Sequence, residues 1–170
     1  MKVFTEKQKF NQSFVYIGIS LCLIIVVASI IYEWKRFANE SLGEQIAAIM
    51  GLIIILLVIV LFTLLKLETK IDEYGIKYKF YPFHRSFKYI PWSSISKCYI
   101  REYSPILEYG GWGLKSSFKK NIGNSYTTRG SIGLQLVLKN GKKILIGTQK
   151  KEELERALTV YKHKLETNDL

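Results

Sequence analysis

Two uncharged apolar runs dominate the first part of the chain: Phe14 to Tyr32, 19 residues, and Ile46 to Leu65, 20 residues. At about 1.5 Å of rise per helical residue, each reaches roughly 28–30 Å, the hydrocarbon thickness of a bilayer. Backbone amides in hydrocarbon must bond one another, so each run is expected to be a helix. The stretch GLIIILLVIVLFTLL beginning at Gly51 is apolar on every face, where a helix of a soluble protein keeps a polar stripe. The first run follows Lys2, Lys7 and Lys9, as a signal-peptide core would, with Val26 and Ala28 near a cleavage position. It is longer than the roughly 7–15 residues of such a core and continues through Ile30 and Ile31, so it reads as a span. Tyr16, Tyr32 and Trp34 sit near its ends, where interfacial aromatics collect. Glu33 to Gln45 is long enough to turn back, giving an antiparallel two-helix hairpin over residues 14–65 after a tail of residues 1–13.

Beyond Leu65 the period changes to two. Ile76, Tyr78 and Phe80 alternate with Lys77, Lys79 and Tyr81, a half-buried strand that Pro82 ends. Phe87 to Trp92 is a short candidate strand. Ile95 to Arg101 alternates again, with Cys98 and Ile100 on one side and Lys97, Tyr99 and Arg101 on the other. Ile132 to Lys139 and Lys142 to Gly147 flank Asn140-Gly141, whose residue types suit the two positive-φ positions of a type I′ hairpin turn. Leu134, Leu136 and Leu138 should line one face. Lys115 to Ser131 reads as a polar loop. Leu154, Ala157, Leu158, Tyr161 and Leu165 recur at helical spacing after Thr148, a candidate N-cap; Glu152, Glu153 and Glu155 favour the helix start, and Lys162, His163 and Lys164 its end.

Charge sets the expected topology. Lysines flank the outer ends of the two runs (Lys2, Lys7, Lys9; Lys66, Lys70, Lys77, Lys79). The connecting loop carries Lys35 and Arg36 beside Glu33, Glu40 and Glu44. The positive-inside tendency then puts both termini in the cytoplasm, with a multi-pass cytoplasmic-membrane location. Residues 66–170 hold 20 Lys+Arg against 10 Asp+Glu, 20 − 10 = +10 of the chain's +11. Cys22 falls within the first span, and Cys98 is the lone cysteine of the basic domain, which fits a reducing compartment.

The two spans, the strand-rich basic domain, Pro91-Trp92, the segment Tyr109-Gly110-Gly111-Trp112-Gly113-Leu114-Lys115 and the ending Asn140 to Lys150 (NGKKILIGTQK) together resemble bacterial membrane-anchored PH-like domain proteins. The resemblance covers nearly the whole chain. It implies an α+β membrane protein: a transmembrane hairpin followed by a seven-stranded antiparallel PH-like barrel or sandwich with a C-terminal helix, and no known activity. The two-helix layout is also similar to a photosystem I assembly factor, without a shared motif to carry that role over.

Candidate chemistry is sparse. His84 and His163 are the only histidines, His84 reads as a loop residue, and no spacing suits a metal. Gly111-Trp112-Gly113 lacks the third glycine of a dinucleotide fingerprint and reads as a bulge or close backbone approach with the indole in the core. Ser93, Ser94 and Ser96 have no neighbouring His–acid pair, and Ser93 or Ser94 suits a turn. No catalytic, cofactor or metal residue is assigned. The functional signal is positive charge. Lys77, Lys79, Arg85 and Lys88, with Lys119, Lys120 and Arg129, form the candidate anionic-lipid surface. PH-like folds elsewhere bind phosphoinositide head groups between the first two strands, but that motif is not met here. A nucleic-acid partner is not expected, as no such motif occurs. The expected function is a non-enzymatic binding or scaffold module at the inner membrane face, contacting a protein partner, itself or anionic lipid. The alternatives are an assembly or regulatory factor for a larger membrane complex, and an unrecognised membrane enzyme.

Overall fold

The computed structural model describes residues 4–10, 12–32, 36, 41–116 and 123–166. The chain divides into a helical unit, residues 11–64, and a strand-rich unit drawn from the chain on both sides of it.

In the helical unit, α1 spans Ser13–Tyr32 and α2 spans Leu42–Leu64. Each is long and apolar enough to cross a membrane. Ser41 and Glu44 form a reciprocal capping box at the start of α2: Glu44 N–H donates to Ser41 Oγ at 3.4 Å and Ser41 N–H to Glu44 Oε2 at 3.0 Å. Two hydroxyls inside the helices bond the helix backbone, Ser29 on the Ile25 carbonyl and Thr63 on that of Val60.

The strand-rich unit begins earlier than the sequence suggests. Residues 1–13, expected as a tail, contain strand β1, Phe4–Lys9. It pairs antiparallel with β2, Lys66–Ile71, and the pairing continues to Phe10 N–H, which donates to the Leu65 carbonyl at 3.1 Å. The two apolar helices are therefore an insertion between neighbouring strands of one sheet. β3, Gly75–Tyr81, and β4, Lys88–Pro91, complete that antiparallel sheet in the order β1-β2-β3-β4.

A second sheet follows, with β5 (Ile95–Glu102), β6 (Gly113–Ser116), β7 (Asn124–Thr127), β8 (Ile132–Leu138) and β9 (Lys143–Gly147) in the order β5-β8-β9-β7-β6. All pairs are antiparallel except β7 with β9. Part of the stretch read as a polar loop from Lys115 to Ser131 is thus strand. Its Ser125, Tyr126 and Thr127 are buried, the two hydroxyl residues facing away from the tyrosine as a period of two requires. The described strands form two sheets rather than one seven-stranded barrel. Where β1 approaches β9, side chains replace a ladder: Gln8 Nε2 donates to the Gly147 carbonyl and accepts, through Oε1, the Thr128 hydroxyl, both at 2.7 Å.

The core lies between these sheets and helix α4, Lys151–Glu166. Leu67, Ile71, Ile76, Phe80, Ile95, Leu134, Leu136, Ile146 and Leu154 are fully buried. A bulge between Ile95 and Lys97 adds one residue, so that Ile95 joins Cys98 and Ile100 opposite Leu138, Leu136 and Leu134. Leu154, Ala157 and Tyr161 of α4 are buried, and Tyr161 stacks on Trp92 at 5.6 Å. The side chain of Leu165 lies outside those described.

Three local expectations are corrected. The β8–β9 turn is not type I′, because Gly141 alone has positive φ. Leu138 N–H donates to Lys142 O, and Gly141 N–H to Leu138 O, the pattern of a three-residue loop ending in a left-handed glycine. Thr148 is not the cap of α4: the helix starts at Lys151, and the Thr148 hydroxyl accepts from Lys150 N–H at 3.0 Å and donates to Glu6. Trp112 is half-buried at the surface, its indole N–H bonded to the Gly130 carbonyl at 2.8 Å. A Cβ on Gly111 or Gly113 would meet nothing within 4 Å, so these glycines answer to their φ of 119° and 118° rather than to close approach.

Candidate functional site

Strand register sorts the first sheet into two faces. Phe4, Glu6 and Gln8 of β1, Leu67, Thr69 and Ile71 of β2, and Ile76, Tyr78 and Phe80 of β3 point inward and are buried. The outward rows run Lys9–Lys66–Tyr81, Lys7–Glu68–Lys79 and Thr5–Lys70–Lys77–Tyr89. Six lysines thus share one face with a single glutamate among the strand positions.

Aromatic rings organise that face. The ammoniums of Lys70 and Lys79 lie 4.9 and 5.0 Å from the centroid of the one Phe87 ring. Lys77 lies 5.6 Å from the Tyr89 ring and ion-pairs with Asp72 at 2.8 Å. Partial burial works against the Asp72 carboxylate, but the bond from Lys77 and the N–H groups of Tyr74 and Gly75 outweigh it and hold its pKa below the usual range. The same bond raises Lys77.

The sequence-derived surface is only partly assembled. Lys77 and Lys79 are on the outer face, and Arg85 is exposed in the 82–87 connection between β3 and β4. Lys88 is opposite Tyr78 in register and so belongs to the other side of the strand pair. Arg129 lies in the connection between β7 and β8, held where its carbonyl accepts from Gln149 Nε2 at 2.8 Å. Lys119 and Lys120 are outside the described residues. Lys7, Lys9, Lys66 and Lys70 also belong to the face, although their place in the sequence marks them only as charges flanking the apolar runs. The alternation of Leu67, Thr69 and Ile71 with Lys66, Glu68 and Lys70 was the available signal.

Elsewhere the titratable groups are engaged in packing. His84 Nδ1 accepts the Phe80 N–H at 3.2 Å, and its ring contacts Tyr78 and Tyr126. Burial, then nearby Lys88, lower its pKa. Burial and a bond to Tyr126 push the Tyr78 hydroxyl far up. Burial pushes the Cys98 thiol up to about 12, which favours its protonated form near neutral pH. The buried Glu6 carboxylate accepts the Thr148 hydroxyl and Gln149 N–H, each at 2.7 Å.

On the second sheet, Arg101 grips Glu108 with two bonds of 3.1 and 2.7 Å and also donates to Gln135 and the Tyr109 hydroxyl. This seats the short helix α3, Pro105–Tyr109, over Tyr103 and Leu145. No group of three or more His, Cys, Asp or Glu that could hold a metal ion occurs among the described residues.

Fold and face define an α+β chain: two apolar helices inserted in a two-sheet unit with a C-terminal helix and a lysine-covered outer sheet face. No protein-family model, curated protein or solved structure matches the chain.

Proposed function

We propose that the protein is a membrane-anchored, non-enzymatic binding or scaffold module. Its strand-rich unit is a PH-like domain at the inner face of the cytoplasmic membrane, contacting a protein partner, a second copy or anionic lipid. The observation that carries this reading is the bond from Phe10 N–H to Leu65 O at 3.1 Å. Strands on either side of the helix pair are neighbours, so a chain that enters the bilayer through α1 must return through α2 to the side it left. The N-terminal strand and the domain then share one side. Lys7, Lys9 and Lys66 at the outer helix ends favour the cytoplasm for it. A PH-like assignment draws on the mostly antiparallel sheets and on the C-terminal helix packed at Trp92; the nine described strands, one of them ahead of the helices, exceed the expected seven. Signal-peptide cleavage near Ala28 would cut β1 from its sheet, so the anchored reading requires an intact chain.

The test is twofold. The protein should stay with the membrane in alkaline carbonate. A reporter active only in the cytoplasm should work when fused after Leu170 and when fused before Met1. Release into the supernatant, or activity at one end alone, contradicts the proposal.

A further inference from the structure

The outer face of the first sheet has an end defined by Phe10 and Leu65, the points where the chain passes to and from the helices. Lys9 and Lys66 face each other directly there, and Lys70 and Lys77 do so farther along. Like charges placed opposite across antiparallel strands destabilise a sheet. Asp72 already compensates Lys77, so the Lys9–Lys66 pair is the one that suits a bridging anion. The Lys9–Lys66 row ends in Tyr81, 41 % exposed. The connection that follows Tyr81 presents Phe83, 58 % exposed, and the exposed Arg85. Exposed aromatics beside cations are the composition of a surface that meets the headgroup layer. Phe87, in the same connection, gathers the ammoniums of Lys70 and Lys79 over one ring. Chain reach selects the occupant. Lys66 follows the last residue of α2 by two positions, at most about 7 Å of extended chain. That is within the Debye length of about 8 Å at physiological ionic strength.

We propose that this end of the face, built on Lys7, Lys9, Lys66 and Lys79 with Tyr81 and Phe83, docks on the phosphate headgroups of anionic lipids in the leaflet next to it. The inference rests on the anchored reading above and assigns that module its ligand class and residues. The contact is electrostatic, so it needs anionic lipid and weakens with salt.

The test uses the full chain in nanodiscs of phosphatidylcholine alone or mixed with phosphatidylglycerol. Amine acylation of each lysine is followed by mass spectrometry. Acylation of Lys9 and Lys66 should slow about threefold or more when phosphatidylglycerol is present, and recover in high salt. Lys97, exposed on β5, and Lys142, exposed in the β8–β9 turn, should not change. The double variant Lys66→Gln/Lys79→Gln should lose most of the slowing at Lys9 with an unchanged circular dichroism spectrum. Equal rates in both lipids, or equal slowing at Lys97 and Lys142, overturns the proposal. So does stronger protection of Lys9 and Lys66 by a DNA duplex in phosphatidylcholine discs, which would make the face a nucleic-acid surface. Protein that does not elute with the discs contradicts the anchor itself, whereas elution with unprotected lysines contradicts only the docking surface.

Discussion

Thr148 donates its hydroxyl to the Glu6 carboxylate across 2.7 Å, tying the first strand of the chain to the turn ahead of its last helix. Both groups are buried, at 4 % and 3 % exposure, so water cannot stand in for either. Thr148→Val keeps the shape and removes both the donor to Glu6 and the acceptor of Lys150 N–H. A buried acceptor that loses its donor costs about 1–3 kcal/mol. Denaturant titration of the detergent-solubilised chain should show a loss of that size, with Glu6→Ala at least as severe because Gln149 N–H then loses its acceptor as well. A Thr148→Val protein as stable as wild type would mean that the bond contributes nothing.

Arg101 and Glu108 give the domain an acid-sensitive contact. The bond from Arg101 lowers the Glu108 pKa, against an opposing effect of burial, while Ser104 N–H adds to the lowering. A carboxylate whose folded pKa is depressed contributes stability that is fully present above its unfolded value, near 4.5, and is lost as pH falls through the folded value. Glu108→Gln should therefore flatten the stability profile below about pH 5. Near neutral pH it should cost no more than about 1 kcal/mol, since both side chains keep solvent contact. The check is chemical denaturation of both proteins at stepped pH. Parallel profiles would contradict the assignment.

The β8–β9 turn separates two readings of Asn140-Gly141. In a type I′ turn both residues need positive φ, whereas here φ is 80° at Gly141 and no non-glycine residue is positive among those described. Asn140→Ala removes the side-chain acceptor of Lys142 N–H at 3.0 Å and should cost less than about 1 kcal/mol. Gly141→Ala forces an L side chain into the left-handed region and should cost more, about 1–2 kcal/mol. Comparable losses measured by thermal unfolding would favour the I′ geometry.

How much of this was legible depends on which partner carries each element. β3 announced itself, since Ile76, Tyr78 and Phe80 alternate with polar neighbours. The apolar helices declared themselves by length alone. β1 did not, because two of its three inward positions are Glu6 and Gln8. Their acceptors and donors, Gly147, Thr128, Thr148 and Gln149, lie at the other end of the chain. Without that strand, Lys7 and Lys9 looked like a flanking tail. Their register with Lys66 and Lys79 was hidden behind the helical insertion. Gly111 and Gly113 were conspicuous, but composition does not separate a glycine needed for its φ from one needed for space. Gly75 is of the second kind: a Cβ there would lie 2.2 Å from the Ile90 carbonyl oxygen.

If α1 and α2 cross a bilayer, the pairing of β1 with β2 requires both strands to lie on the same side of it. Single cysteines at Thr5, Asn39 and Ser131, in a chain carrying Cys22→Ser and Cys98→Ser, test it with a membrane-impermeant maleimide applied to intact and to lysed cells. Thr5→Cys and Ser131→Cys should both label only after lysis, while Asn39→Cys labels in intact cells. If Thr5→Cys and Ser131→Cys label from opposite sides, the strands cannot pair across the helices and the account is wrong.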